Sequence, residues 1–345
     1  MGQRGGCRPR VSGGGFRVKR MRGGWRRLLL ACGLLLAVPL AARAQAPEAR
    51  TWRLAVLAST TVSLEVTRAS MLPELARLGF VEGRNLAVSM RHGPVAEQAA
   101  LVREALRENP DVIFTTGNDI THAVQSQTRS VPVIFFGTDP IGQGFAESLA
   151  RPGGNVTGVS ILAGELDGKR LDMLHQALPE RRRVAALMLA SAPDRPASER
   201  EMRRAAAGLG LELRLFDVAS AAGFPAAFAA MRQARVEALL VMATPQFFGD
   251  APVLARLARE AGLPTICEWA AMAGSGCLLG FGPDIADLRR RSANLIAQVL
   301  RGARPGEIPI EQPTRFSLGV NLATAQALGL TLPPAVMAQA DEVFD

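Results

Sequence analysis

Residues with the potential for chemistry are few and scattered in this sequence. The three histidines, His92, His122 and His175, form no H-x-x-x-H pair and have no acidic partner at metal-ligand spacing. No G-x-S-x-G elbow marks a nucleophilic serine, and Ser126 and Ser275 stand in no activating motif. Cys267 and Cys277, with nine residues between them, could be bonded in an oxidising compartment, remain as buried thiols, or serve as nucleophiles. Without histidines at matching spacing they make a poor metal site. No catalytic residue, no metal and no cofactor is assigned from the sequence.

The stretch FFGTDPIGQGFAESLARPGGNVTGVS (135–160) is the one glycine-rich segment that invites a nucleotide reading. A dinucleotide fingerprint requires G-x-G-x-x-G on the turn after the first strand, with an acidic residue about 20 positions on. Gly142-Gln143-Gly144 follows the fourth strand and lacks the third glycine, and no G-x-x-x-x-G-K-[ST] occurs. RPGGNVTG (151–158) reads instead as a tight turn feeding a short strand and a crossing between lobes.

The elements that position such residues begin after residue 46. Arg17, Lys19, Arg20, Arg22, Arg26 and Arg27 precede the apolar run LLLACGLLLAVPLA (28–41), and small-x-small patterns follow at Ala42–Ala44 and Ala44–Ala46. Basic start, short apolar core and small-residue end predict a secretory signal peptide over 1–46, cleaved near Ala44 or Ala46. The apolar run falls short of the roughly 20 residues of a spanning helix. Residues 1–46 hold ten of the 40 Lys and Arg and no Asp or Glu, which leaves 30 basic against 31 acidic residues in the mature part. The apparent basicity therefore belongs to the signal and gives no reason to expect a nucleic-acid partner.

The mature sequence alternates short apolar runs with amphipathic ones. Strands are predicted over 52–58, 85–91, 111–116, 132–136, 183–190, 211–218, 238–243, 264–269 and 278–282. Helices are predicted over 66–80, 96–109, 119–129, 165–178, 197–209, 224–234, 251–262 and 284–301. Continuous apolar strands alternating with helices indicate parallel sheets covered on both faces. The fold class is α/β, with two doubly wound parallel-sheet lobes joined by a hinge. The N-terminal lobe is placed at 47–160, completed by about 280–305, and the C-terminal lobe at 161–278, completed by about 306–345. Hinge segments are expected near 158–163, 278–283 and 305–312.

In such sheets ligands bind outside the carboxyl ends of the strands, where helices begin. The residues that follow each strand are Ser59, Thr60 and Thr61; Thr116, Gly117 and Asn118; Thr138 and Asp139; Ser191 and Asp194; Thr244 and Gln246; Glu268 and Trp269. Most are small hydroxyls and amides, which hold a polar ligand without chemistry and serve equally well as helix caps. Asp139 is the expected partner for an ammonium group, and Trp269 either stacks on ligand or packs at a lobe edge. Phe247 and Phe248 are expected in the core.

Three segments carry a resemblance in order along the chain: TDPIGQGFAESLARPGGNVTGVS, ELDGKRLDMLHQALP, and FGPDIADLRRRSANLIAQVLRGARPGEIPIEQPTRFSLGVNLATAQALGLTLPP. The chain resembles the ABC-transporter substrate-binding family that includes bacterial tryptophan- and tyrosine-binding lipoproteins. That resemblance implies a type I periplasmic-binding-protein fold with a small ligand between two lobes. It departs from the family's pattern at SAPDRP (191–196) and EWAAMAGSGC (268–277), so the fold carries over and the ligand does not. The expected role is a monomeric periplasmic component that closes on a small polar ligand, an amino acid or similar carboxylate, and presents it to an inner-membrane ABC permease. A sensing module for a signalling receptor, or an exported enzyme using Cys267 and Cys277, would use the same cleft.

Overall fold

Sequence runs such as WRLAVLA and VIFFG have no polar alternation, so strands made from them must be buried on both faces. The computed structural model, which describes residues 50–162 and 166–345, meets that demand with two sheets flanked by helices. The signal-peptide expectation over 1–46 lies outside the described residues.

The first sheet contains β1 (Trp52–Ala58), β2 (Leu86–His92), β3 (Val112–Thr116), β4 (Val133–Gly137) and β5 (Val156–Ser160). Its order is β2-β1-β3-β4-β5, all parallel. The second contains β6 (Arg183–Leu189), β7 (Glu212–Val218), β8 (Ala238–Val241), β9 (Thr265–Cys267), β10 (Leu279–Pro283), β11 (Phe316–Asn321) and β12 (Glu342–Phe344). Its order is β12-β11-β10-β9-β8-β6-β7, parallel except that β11 runs antiparallel to β10. Strands β11 and β12 were not expected from the sequence. They extend the second sheet after the chain has returned from the first.

Helices α1 (Thr61–Arg77), α2 (Val95–Arg107) and α3 (Asn118–Gln125) belong to the first sheet. Helices α4 (Asp167–Ala177), α5 (Arg195–Leu209), α6 (Phe224–Gln233), α7 (Pro245–Gly249), α8 (Ala251–Glu260) and α9 (Ala270–Gly274) follow with the second. Helix α10 (Ile285–Leu300) then returns to pack on α1 and on β3, β4 and β5, before the short α11 (Leu322–Ala327) and α12 (Pro334–Met337). The chain thus passes between the sheets three times: after β5, between β10 and α10, and between Glu311 and β11. At the third crossing Glu311 donates its backbone N–H to Gly158, and Ser160 donates to Glu311, both at 2.9 Å.

Both sheets reverse their winding at one point, between β1 and β3 in the first and between β6 and β8 in the second. Open α/β sheets hold ligands at this topological switch. The register aligns Ala58 with both His92 and Thr116, so the carboxyl ends of β1 and β3 finish level.

Cys267 and Cys277 form a disulfide, which settles a pairing that the sequence leaves open. Register does this: Gly280 of β10 pairs with Cys267 of β9, so the chain that loops through α9 comes back with its cysteines' Cα atoms 6.5 Å apart. Both residues are fully buried. The bond closes a short loop, and loop-closure entropy at that length is worth about 2–3 kcal/mol. Replacing both cysteines with alanine should lower unfolding free energy by about that amount. Urea denaturation of the oxidised wild type and the double variant measures it.

Candidate functional site

A cleft of about 670 Å³, counting the part open to solvent, lies where the two switch points face each other. Of the residues expected to bind ligand, Ser59, Thr116, Gly117, Asn118, Thr138, Asp194, Thr244, Gln246, Glu268 and Trp269 line it. The other four do not. Thr60 caps α1, accepting from Ser63 N at 3.2 Å. Thr61 is exposed and meets His92 Nε2 at 3.1 Å. Ser191 is exposed in the turn after β6.

Asp139, the expected ammonium partner, is turned away from this cleft. It sits at positive φ of 43°, and its Oδ1 accepts from Gly142 N at 2.9 Å, so it caps its own turn. It lines a neighbouring opening with Arg200 and Arg204. The aspartates that do line the cleft are Asp119 and Asp194. Phe247 is core as expected, whereas Phe248 lines the cleft edge-on to Trp269, with ring centroids 6.4 Å apart.

The lobes meet across this cleft. The Thr138 hydroxyl donates to Asp194 Oδ2 at 3.1 Å, and Asn118 fixes Thr138 by two hydrogen bonds of 2.9 and 3.0 Å. Two glycines give room for this contact: a Cβ on Gly117 would stand 3.1 Å from Pro245, and one on Gly249 3.1 Å from Thr60.

The Glu268–Trp269 corner is seated by β10. A Cβ on Gly280 would fall 2.1 Å from the Trp269 carbonyl oxygen, and one on Gly282 2.1 Å from that of Glu268. Beneath it lies Arg170, which is fully buried. Its Nε donates to Phe281 O at 2.9 Å, Nη1 to Asp167 Oδ1 at 2.8 Å and Nη2 to Glu268 O at 3.3 Å. Ser198 in turn donates to Asp167. Burial pushes the Asp167 carboxyl up to about 6 against the pull of Arg170.

Burial acts harder on Glu268, whose carboxyl rises to about 8, with Arg170 opposing and Asp167 and Asp194 adding to the rise. Glu268 is therefore mostly protonated at neutral pH. Asp119 is raised too, first by burial and then by the charge of Asp194. This end of the cleft is rich in carboxyl groups and has one buried guanidinium among them, already engaged with Asp167.

The other end holds a residue that sequence reasoning missed. Arg289, on α10, is 2% exposed and lines the cleft beside Ser63, Phe136 and Ile285. Its Nε and Nη1 have no hydrogen-bond partner among the described residues. The guanidinium lies 3.7 Å over the Phe136 ring centroid and 5.2 Å from that of Phe114. Burial lowers its pKa to about 9. A desolvated cation over aromatic rings gains about 2 kcal/mol, less than the several kcal/mol that withdrawing an ion from water costs. The signal was present as an arginine beside Leu288 and within the mostly apolar stripe of Leu288, Ser292, Ala293 and Ile296 on α10.

No group of three or more His, Cys, Asp or Glu able to hold a metal occurs among the described residues. The two sulfurs that an enzyme reading would use as nucleophiles are bonded to each other. No helix among the described residues is long and apolar enough to cross a membrane.

The sequence pattern of the family described as ABC transporter substrate binding protein matches residues 59–344. A tyrosine-binding protein of Clostridioides difficile is 21% identical over 271 residues, 78% of each chain. A conserved domain protein from Vibrio cholerae, 24% identical, superposes with a TM-score of 0.80 over 85% of this chain and all of that one. An ABC domain from Streptococcus pneumoniae in complex with L-Trp, also 24% identical, gives 0.79 over the same shares. These likenesses give the fold as type I periplasmic binding protein.

The raised carboxyl of Glu268 has a measurable sign. A group whose folded pKa lies above its unfolded value stabilises fully below the unfolded pKa and loses that contribution as pH rises through the folded one. Ligand-free protein should therefore lose stability between pH 5 and about 8. Glu268→Gln should flatten that decline, gaining most in Tm near pH 8. An unchanged profile by differential scanning fluorimetry contradicts a protonated Glu268.

Proposed function

The chain belongs to the ABC transporter substrate-binding protein family, and from that premise we propose that it is the exported solute-binding component of an importer. It acts as a monomer in the periplasm, closes its lobes on a small polar ligand, an amino acid or similar carboxylate, and delivers the closed complex to an inner-membrane permease. The observation that supports this reading best is the cleft: two switch points, one from each sheet, converge on one polar and aromatic cavity bridged by Thr138 and Asp194. Ligand bridging both sides shifts a hinge equilibrium toward the closed form by its differential affinity for that form. The crossings after β5, between β10 and α10, and between Glu311 and β11 are the hinge segments in this reading. Closure removes water, so each hydrogen bond in the cleft counts for more.

The tyrosine-binding relative and the L-Trp complex make aromatic L-amino acids the first ligands to try. The mature chain should be unfolded and refolded to strip carried ligand, then screened by thermal shift. The panel holds L-amino acids, aromatic acids, dicarboxylates and neutral sugars. A ligand at 100 times its Kd adds about 2.7 kcal/mol and moves Tm by several degrees. A refolded chain that responds to no member of the panel would overturn the solute-binding reading.

A further inference from the structure

Arg289 is a buried cation on the cleft wall for which the described residues supply no hydrogen-bond partner. It makes no hydrogen bond or ion pair among the described residues, and its Nε and Nη1 are buried. Protein cations taken out of water are normally paired, and Arg170 in the same molecule shows such pairing in full. A second polar atom nearby is in the same condition: Thr116 Oγ1, also on the cleft wall, is buried without a partner. The Ser59 hydroxyl accepts from Gln98 Nε2 at 3.2 Å, which leaves its own O–H to donate. A guanidinium and two hydroxyls, all from the lobe built on the first sheet, thus line the cleft with donors unspent.

We infer that Arg289 is the anchor for a carboxylate group of the ligand. The inference rests on the solute-binding reading above and deepens it. A guanidinium offers the planar fork that a carboxylate accepts. At the carboxyl-rich end Asp119 and Asp194 receive the ammonium group, and the neutral Glu268 carboxyl can accept from it through its carbonyl oxygen. Phe136, Phe248 and Trp269 supply the apolar walls between. Because Arg289 lies on α10, packed against the first sheet, the carboxylate can be captured by the open protein. Asp194 and Glu268, carried by the other lobe, then complete the site on closure.

The experiment compares wild type with Arg289→Met. The probes are L-tyrosine, L-tryptophan and L-leucine, each beside its carboxamide and its decarboxylated amine, with 3-phenylpropanoate and D-arabinose as further members. Calorimetric titration gives affinities, and thermal melts of the stripped proteins give ligand-free stability. Wild type should bind at least one amino acid and prefer it over its amide and amine by at least ~30-fold, the loss typical when one partner of a buried charge pair is removed. Arg289→Met should abolish that preference while melting no lower than wild type without ligand, since it removes an unpaired buried charge. Wild type that binds amine and amino acid alike, or a variant that binds the amino acid as wild type does, overturns the inference. A variant that melts lower and keeps its preference assigns Arg289 to packing and overturns it too. Binding of D-arabinose alone would leave the solute-binding reading standing and sink the anchor. No binding of any probe, including the sugar, would count against both.

Discussion

Among the described residues two guanidinium groups are withdrawn from water, and the contrast between their partners organises the cleft. Arg170 is satisfied on every side: Asp167 neutralises it, and two backbone carbonyls, one of them from Glu268, fix its plane. It ties α4 to β10 and to the corner that presents Glu268 and Trp269. Arg289 has aromatic rings and, among the described residues, no anion. The first arrangement holds a wall in place. The second keeps a charge on the cleft wall, which the proposal above assigns to a ligand carboxylate. Each is comprehensible only because a buried ion without a counter-charge costs several kcal/mol.

The architecture brings these groups within reach of one ligand. Two sheets of the same winding order, each with its switch point at the carboxyl ends of its strands, face each other across the cleft. The first contributes hydroxyls, Asn118 and Arg289. The second contributes Asp194, Thr244, Glu268 and Trp269. Small residues serve the contact between the lobes as much as polar ones, since Gly117 and Gly249 let Pro245 and Thr60 approach. The disulfide between β9 and the start of β10 holds the loop through α9, which carries Trp269, to a fixed length.

Much of this was legible in the sequence, for identifiable reasons. Runs such as WRLAVLA and VIFFG carry one meaning, a strand covered on both faces, and residues placed directly after such strands reach the cleft because of the fold's geometry. Direction was not legible. Asp139 follows its strand as Thr138 does, yet a positive φ turns it to cap Gly142, and only the backbone conformation decides between the two. Arg289 was hidden for a different reason: an arginine on a helix is ordinarily solvated, and its burial depends on α10 returning to the first sheet. Strands β11 and β12 lie beyond that return and lack the long apolar runs that identified the others. The cysteine pairing needed the β9–β10 register before it could be read.

The most direct measurement is a crystal structure of the mature chain with its bound amino acid. The account predicts closed lobes, with the ligand carboxylate within about 2.7–2.9 Å of the Arg289 guanidinium nitrogens and its ammonium group toward Asp119, Asp194 and Glu268. An occupied, closed cleft in which Arg289 contacts only Phe136 and Phe114, with the carboxylate held elsewhere, would contradict it.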